Sequence, residues 1–216
     1  MGACCGNDHE FDGTSRKYRQ ALWWVIAINA TMFFVEMGAS FQASSQALQA
    51  DALDFLGDTA TYSLSLLVIG HSLQTRNKAA LFKAFTLLLM GLGVLGMTIY
   101  RVLIMKTPEA FTMGSIGALA FTANIISVLI LLRFRNGDAN VRSVWLCSRN
   151  DAIGNLAVIL AAAGVWQSQS AWPDLIVALI MASLFIWSSI QIVQQVKRSS
   201  TESTSETATK NCHDRK

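Results

Sequence analysis

Proline is almost missing from this chain, with Pro108 and Pro173 the two examples in 216 residues. Long helices can therefore run unbroken, because an internal proline removes a backbone hydrogen bond and clashes with the turn before it. Charge is scarce as well: 14% of residues are charged against 52% apolar. That balance excludes an ordinary soluble domain and suits helices in lipid. The few basic residues flank apolar runs and form no patch interleaved with aromatics, which excludes a nucleic-acid partner. Cysteine is too sparse and badly placed for a disulfide framework: Cys4 and Cys5 are adjacent, Cys147 lies in an apolar run and Cys212 in a polar tail. Residues 1–19 lack the apolar stretch of a cleaved secretory signal, so they are expected to be retained.

What is present is hydrophobic length. Six apolar segments, at roughly 20–42, 46–71, 81–101, 112–133, 143–165 and 173–196, each suffice to cross about 30 Å of hydrocarbon as a helix. The expected fold is an all-α polytopic membrane protein with six transmembrane helices. Arg16, Lys17 and Arg19 precede the first segment, and Arg76, Lys78 and Lys83 lie between the second and third. Arg133, Arg135 and Arg142 separate the fourth from the fifth, and Lys197 and Arg198 follow the sixth. All fall on one side of a six-helix topology, which places the N- and C-termini in the cytoplasm. The chain divides into an N-terminal tail (1–19), a membrane domain (20–196) and a Ser-, Thr- and Glu-rich tail (197–216) too polar to bury a core and expected to be disordered. The six tryptophans mostly fall near segment ends, as interfacial anchors do. Gly91, Gly93, Gly96, Gly114 and Gly117 are placed to let helix backbones approach closely.

Against this apolar background the acidic residues stand out. Asp51, Asp54 and Asp58 occupy one face of the second segment, at i, i+3 and i+7. Each costs roughly 2.5–3.5 kcal/mol at the bilayer centre, so such residues face a bundle interior, a watery cavity or an ion. Cys147, Asp151 and Asn155, at steps of four, make a second polar stripe on the fifth segment. At 1.5 Å per residue from the cytoplasmic ends, Asp151 is expected about 12 Å deep, Asp58 about 20 Å and Asp54 about 25 Å, so the stripes can meet inside the bilayer. Carboxylates with one thiolate suit a divalent first-row metal, with tetrahedral zinc the natural choice. Asn29 and Glu36 share a face of the first segment and Asn124 lies on the fourth. These line the same cavity or, for the asparagines, bond between helices, while Glu36 lies near the outer end, where water is the other way to satisfy it. His71 reads as interfacial. Cys4, Cys5, Asp8 and His9 form a candidate N-terminal cluster for soft metal. No nucleophile and base pair shares a face, so an enzyme is not expected.

These residues resemble the cation diffusion facilitator (cation efflux) family. Ala50-Asp51-Ala52-Leu53-Asp54-Phe55-Leu56-Gly57-Asp58 is similar to the family's Ala-Asp-Ala-x-[His/Asp]-x-x-x-Asp run, and Val141-Arg142-Ser143 through Cys147, Asp151 and Asn155 is similar to its fifth-helix pattern. The resemblance implies a cation-efflux bundle and metal ligation by Asp54, Asp58 and Asp151, with Cys147 in the usual histidine place and Asn150 as the alternative fourth ligand. Asp51, Asn155, Glu36 and Asn29 are supporting candidates. It further implies no cofactor, a divalent cation as cargo (zinc, or cobalt or cadmium; iron or manganese as the alternative), exchange against protons, a homodimer and a place in the plasma (inner) membrane. The sequence departs from the family in the histidine position, in the missing His-Pro-x-x-His-Gly loop after the second helix, and in the missing C-terminal cytoplasmic domain, which reads as a short form. A membrane metal sensor or scaffold with a transporter-like bundle is the competing reading.

Overall fold

The computed structural model describes residues 15–68, 73–104, 107–134 and 139–213, with side chains throughout except at 68, 73–76, 79, 104, 139–147, 195 and 198–213. Among the described residues there is no strand, and six helices follow one another: α1 (Arg16–Ala43), α2 (Gln46–Val68), α3 (Leu73–Ile104), α4 (Ala110–Leu132), α5 (Ala139–Ser168) and α6 (Trp172–His213). Each expected apolar segment lies within or largely within one of them.

The ends are set by local chemistry. Ser15 starts α1, its hydroxyl accepting from the Tyr18 backbone N–H at 3.2 Å. Ser44 ends it in the left-handed region, with φ 55°. Ser45 immediately caps α2, its Oγ accepting from Leu48 N–H at 3.0 Å, so a two-residue link folds α1 and α2 into an antiparallel hairpin. The Glu109 N–H donates to Ala43 O at 2.9 Å, which pins the start of α4 beside the end of α1.

Three intimate pairs build the bundle, α1 with α2, α4 with α5, and α3 with α6; α2 also touches α3, α5 and α6. Gly91 allows the α3–α6 contact: a Cβ there would stand 2.8 Å from Ile186 Cγ1 and 3.1 Å from the Ala182 carbonyl. Gly117 meets Val158 and Ile159 of α5 in the same way, with both contacts at 3.3 Å. Gly93 and Gly96 do not, since no described residue lies within 4 Å of a Cβ at either. Their expected role in close helix packing is not seen within the chain, because they lie on the opposite side of α3 from Gly91.

The last helix runs on into the polar tail, from Trp172 to His213. No proline or glycine follows Pro173 before that point, so no stop signal interrupts a helix already nucleated in the membrane domain.

Large apolar side chains cover the outside, among them Phe111 (82% exposed), Leu103 (79%) and Trp166 (75%). Such a surface requires lipid. Among the described residues α1, α3, α4 and α6 are long and apolar enough to span a bilayer. The 23 residues of α2 and 30 of α5 have the length, and their polar residues set them apart.

Candidate metal-binding site

Because α2 and α5 run antiparallel, their polar faces can meet over several turns. Asp54 and Asp58 are one turn apart on α2, and the Asp151 carboxyl of α5 approaches both. Three acids brought together at one buried place repel one another unless protons or a cation offset their charge. Among the described residues no set of three His, Cys, Asp or Glu has the spacing of a bound ion.

One turn further along α2, the Tyr62 hydroxyl donates to Asp58 Oδ2 at 2.5 Å and stands 3.2 Å from Ser148 Oγ of α5. Tyr62 and Ser148 are both buried. Tyr62 extends the Asp51–Asp54–Asp58 stripe by another four residues, a spacing that points to it. Nothing marks Ser148 beyond its place seven residues before Asn155.

Lys83 belongs inside α3, not merely at its flank. It lines a cavity of about 140 Å³ between α2 and α3 with Gly57, Thr61 and Thr86. There its charge acts on Asp54 and Asp58. A cation beside a low-dielectric acidic site offsets part of the repulsion among the carboxylates.

The supporting candidates divide. Asp51 faces Glu36 of α1 across the hairpin, and Glu36 is fully buried, which removes the alternative that bulk water satisfies it. Asn29 is buried too, but its Nδ2 donates to Val25 O of its own helix at 2.8 Å, in place of an interhelical bond. The side-chain oxygens of Asn29 and Asn124, and both amide atoms of Asn155, find no hydrogen-bond partner among the described residues. Buried polar atoms of this kind need water, a proton or an ion to satisfy them.

Other candidates are not brought to the site. Asn150 is exposed on α5 and accepts from Arg149 Nη2 at 3.4 Å. The Cys147 side chain lies outside the described residues, although its backbone is one turn before Asp151 in α5. Cys4, Cys5, Asp8, His9 and His71 also lie outside them. Asp174, which opens α6, has a structural task. Its carboxylate accepts from Ser45 Oγ (2.5 Å), Gln46 N–H (2.8 Å) and Ala47 N–H (3.0 Å), closing the start of α2 at the helix end that favours negative charge.

Lipid-facing helices around an acidic interior shared by α2 and α5 define an integral, multi-pass membrane protein. The sequence model of the cation efflux transmembrane domain matches residues 22–198, and the chain belongs to the cation efflux family, a family of transporters and not a class of enzymes. It is 27% identical over 194 residues to the metal cation efflux system protein CzcD of Cupriavidus metallidurans and, equally, to the cation efflux system protein CzcD of an Alcaligenes species. The match covers 84% of this chain and 60% of each relative, so the chain spans about three-fifths of their length.

Proposed function

We propose that the protein exports a divalent metal ion from the cytoplasm in exchange for protons, with zinc as the cargo, or cobalt or cadmium as its chemical neighbours. The observation that carries this reading is the meeting of Asp54, Asp58 and Asp151 from two antiparallel helices inside a lipid-facing bundle. The names of the relatives, both cation efflux proteins, agree with it. In this reading both termini are cytoplasmic, as the Lys and Arg residues at the helix ends favour.

Protons and metal compete for the same carboxylates. A dication entering from the cytoplasm displaces protons from the three aspartates, and Tyr62 holds Asp58 in place through the exchange. Cys147, one turn before Asp151, supplies the fourth ligand and a preference for softer ions. Rocking of the bundle that opens the site to alternate sides converts competition into antiport. The protein works as a homodimer, with the outward face of α3 around Gly93 and Gly96 offered for pairing.

The test is flux. Purified protein in liposomes carrying a metal-sensitive dye should move Zn2+ when a pH gradient is applied, and Asp54→Ala and Asp58→Ala should abolish that movement. Binding without gradient-driven flux would instead identify a sensor. Unchanged flux in both variants would remove the site assignment.

A further inference from the structure

The acidic face of α2 serves two places. Asp54 and Asp58 turn to Asp151, whereas Asp51 pairs with Glu36 of α1. Asp51 is 1% exposed and Glu36 0%. No N–H or O–H donor among the described residues reaches either Glu36 oxygen or Asp51 Oδ2. Two buried carboxyl groups facing each other without a donor from elsewhere are costly unless a proton or a cation lies between them.

An independent observation comes from α5. Ser148 meets Tyr62 and Asp151 meets Asp54 and Asp58, so each step forward along α5 is matched by a step back along α2. Asn155, one turn beyond Asp151 and on the same face, falls level with Asp51 and Asp54. It is fully buried, and neither its Oδ1 nor its Nδ2 has a partner among the described residues. On the α1 side, Met32 packs with Phe55 and Ala120, an apolar layer between Glu36 and the deeper Asn29.

We propose that Glu36, Asp51 and Asn155 form a second, oxygen-only station for a divalent cation, one turn from Asp54 on the side of the α1–α2 turn. Two carboxylates and an amide oxygen, with no sulfur or imidazole, bind a hard divalent ion in preference to a soft one. Weaker binding there lets an ion leave after the deeper site has released it. Its use as an exit rests on the export reading; its existence as a binding site does not.

The test is Mn2+ titration of the protein in lipid nanodiscs, with unbound Mn2+ read by paramagnetic resonance. Two classes of bound ion are expected in the unaltered protein. Glu36→Gln and Asp51→Asn should each weaken one class by about tenfold or more and leave the other, while Asp54→Asn and Asp58→Asn should do the reverse. Should Asp51→Asn fail to fold, judged by tryptophan fluorescence on heating, Glu36→Gln and Asn155→Ala carry the test. If Glu36→Gln weakens a class that Asp54→Asn spares, the station stands, whatever becomes of flux. If the protein binds a single class, or if Glu36→Gln leaves both unchanged, the station is overturned.

Discussion

The α2–α5 seam and the α3–α6 seam hold the same bundle together by opposite means. Between α3 and α6 the contact is tight and apolar, with Gly91 against Ile186, Phe185 and the Ala182 carbonyl. The buried Thr98 hydroxyl returns to a carbonyl of its own helix, donating to Val94 O at 2.8 Å. Ser189, which donates to Ala84 O at 2.7 Å, adds one bond across this seam. Between α2 and α5 the interaction is polar: Asp151 with Asp54 and Asp58, and Tyr62 with Ser148. A lipid-spanning bundle gains little by placing acids inside, since each is costly there. The polar seam therefore costs stability, and the apolar seam supplies it.

The largest effect expected from that contrast is loss of transport without loss of fold. Asp58→Asn should reduce gradient-driven Zn2+ flux by about a hundredfold or more, the scale set by removing a group used directly. The thermal midpoint of the metal-free protein should hold or rise, because an amide is cheaper to bury than a carboxylate. The division between seams breaks if this variant unfolds yet its folded remnant still transports.

On the apolar side the expectation reverses. Gly91→Val should destabilise the protein by about 1–3 kcal/mol through overpacking against Ala182 and Ile186, measured as a lower thermal midpoint in detergent. The affinity for Zn2+ of the remaining folded protein should stay unchanged. A weakened affinity would mean that the α3–α6 seam also shapes the site.

Asp174→Ala should cost about 1–3 kcal/mol by leaving the Gln46 and Ala47 amides and the Ser45 hydroxyl without their acceptor. Hydrogen exchange localises the effect: the first turn of α2 should lose protection before the rest of that helix. This contact also marks the limit of what the sequence reveals. The six helices were legible because apolar runs of membrane length alternate with basic ends. Asp54, Asp58 and Asp151 were legible because a charge in such a run demands a reason. Helical spacing names the face on which a residue lies, yet it does not say which neighbour that face meets. So the cap from Asp174 to a helix start 128 residues earlier, the split of Asp51 from Asp54 towards Glu36, and the Tyr62–Ser148 bridge all emerge with the packing. The continuation of α6 had a local clue in the lack of glycine and proline.

The smallest effect should come from Tyr62→Phe, which removes the hydroxyl that donates to Asp58 and touches Ser148 while keeping the ring. Because the phenol orients a carboxylate and is not itself one of the three acids, its loss should weaken Zn2+ binding by about tenfold and change the thermal midpoint little. Combining Tyr62→Phe with Ser148→Ala sharpens the point. If both hydroxyls act through one bridge to Asp58, the double variant should bind Zn2+ no more weakly than Tyr62→Phe alone. Additive losses would show that Ser148 reaches the metal independently, and the polar seam would then contain a ligand that neither stripe of acids revealed.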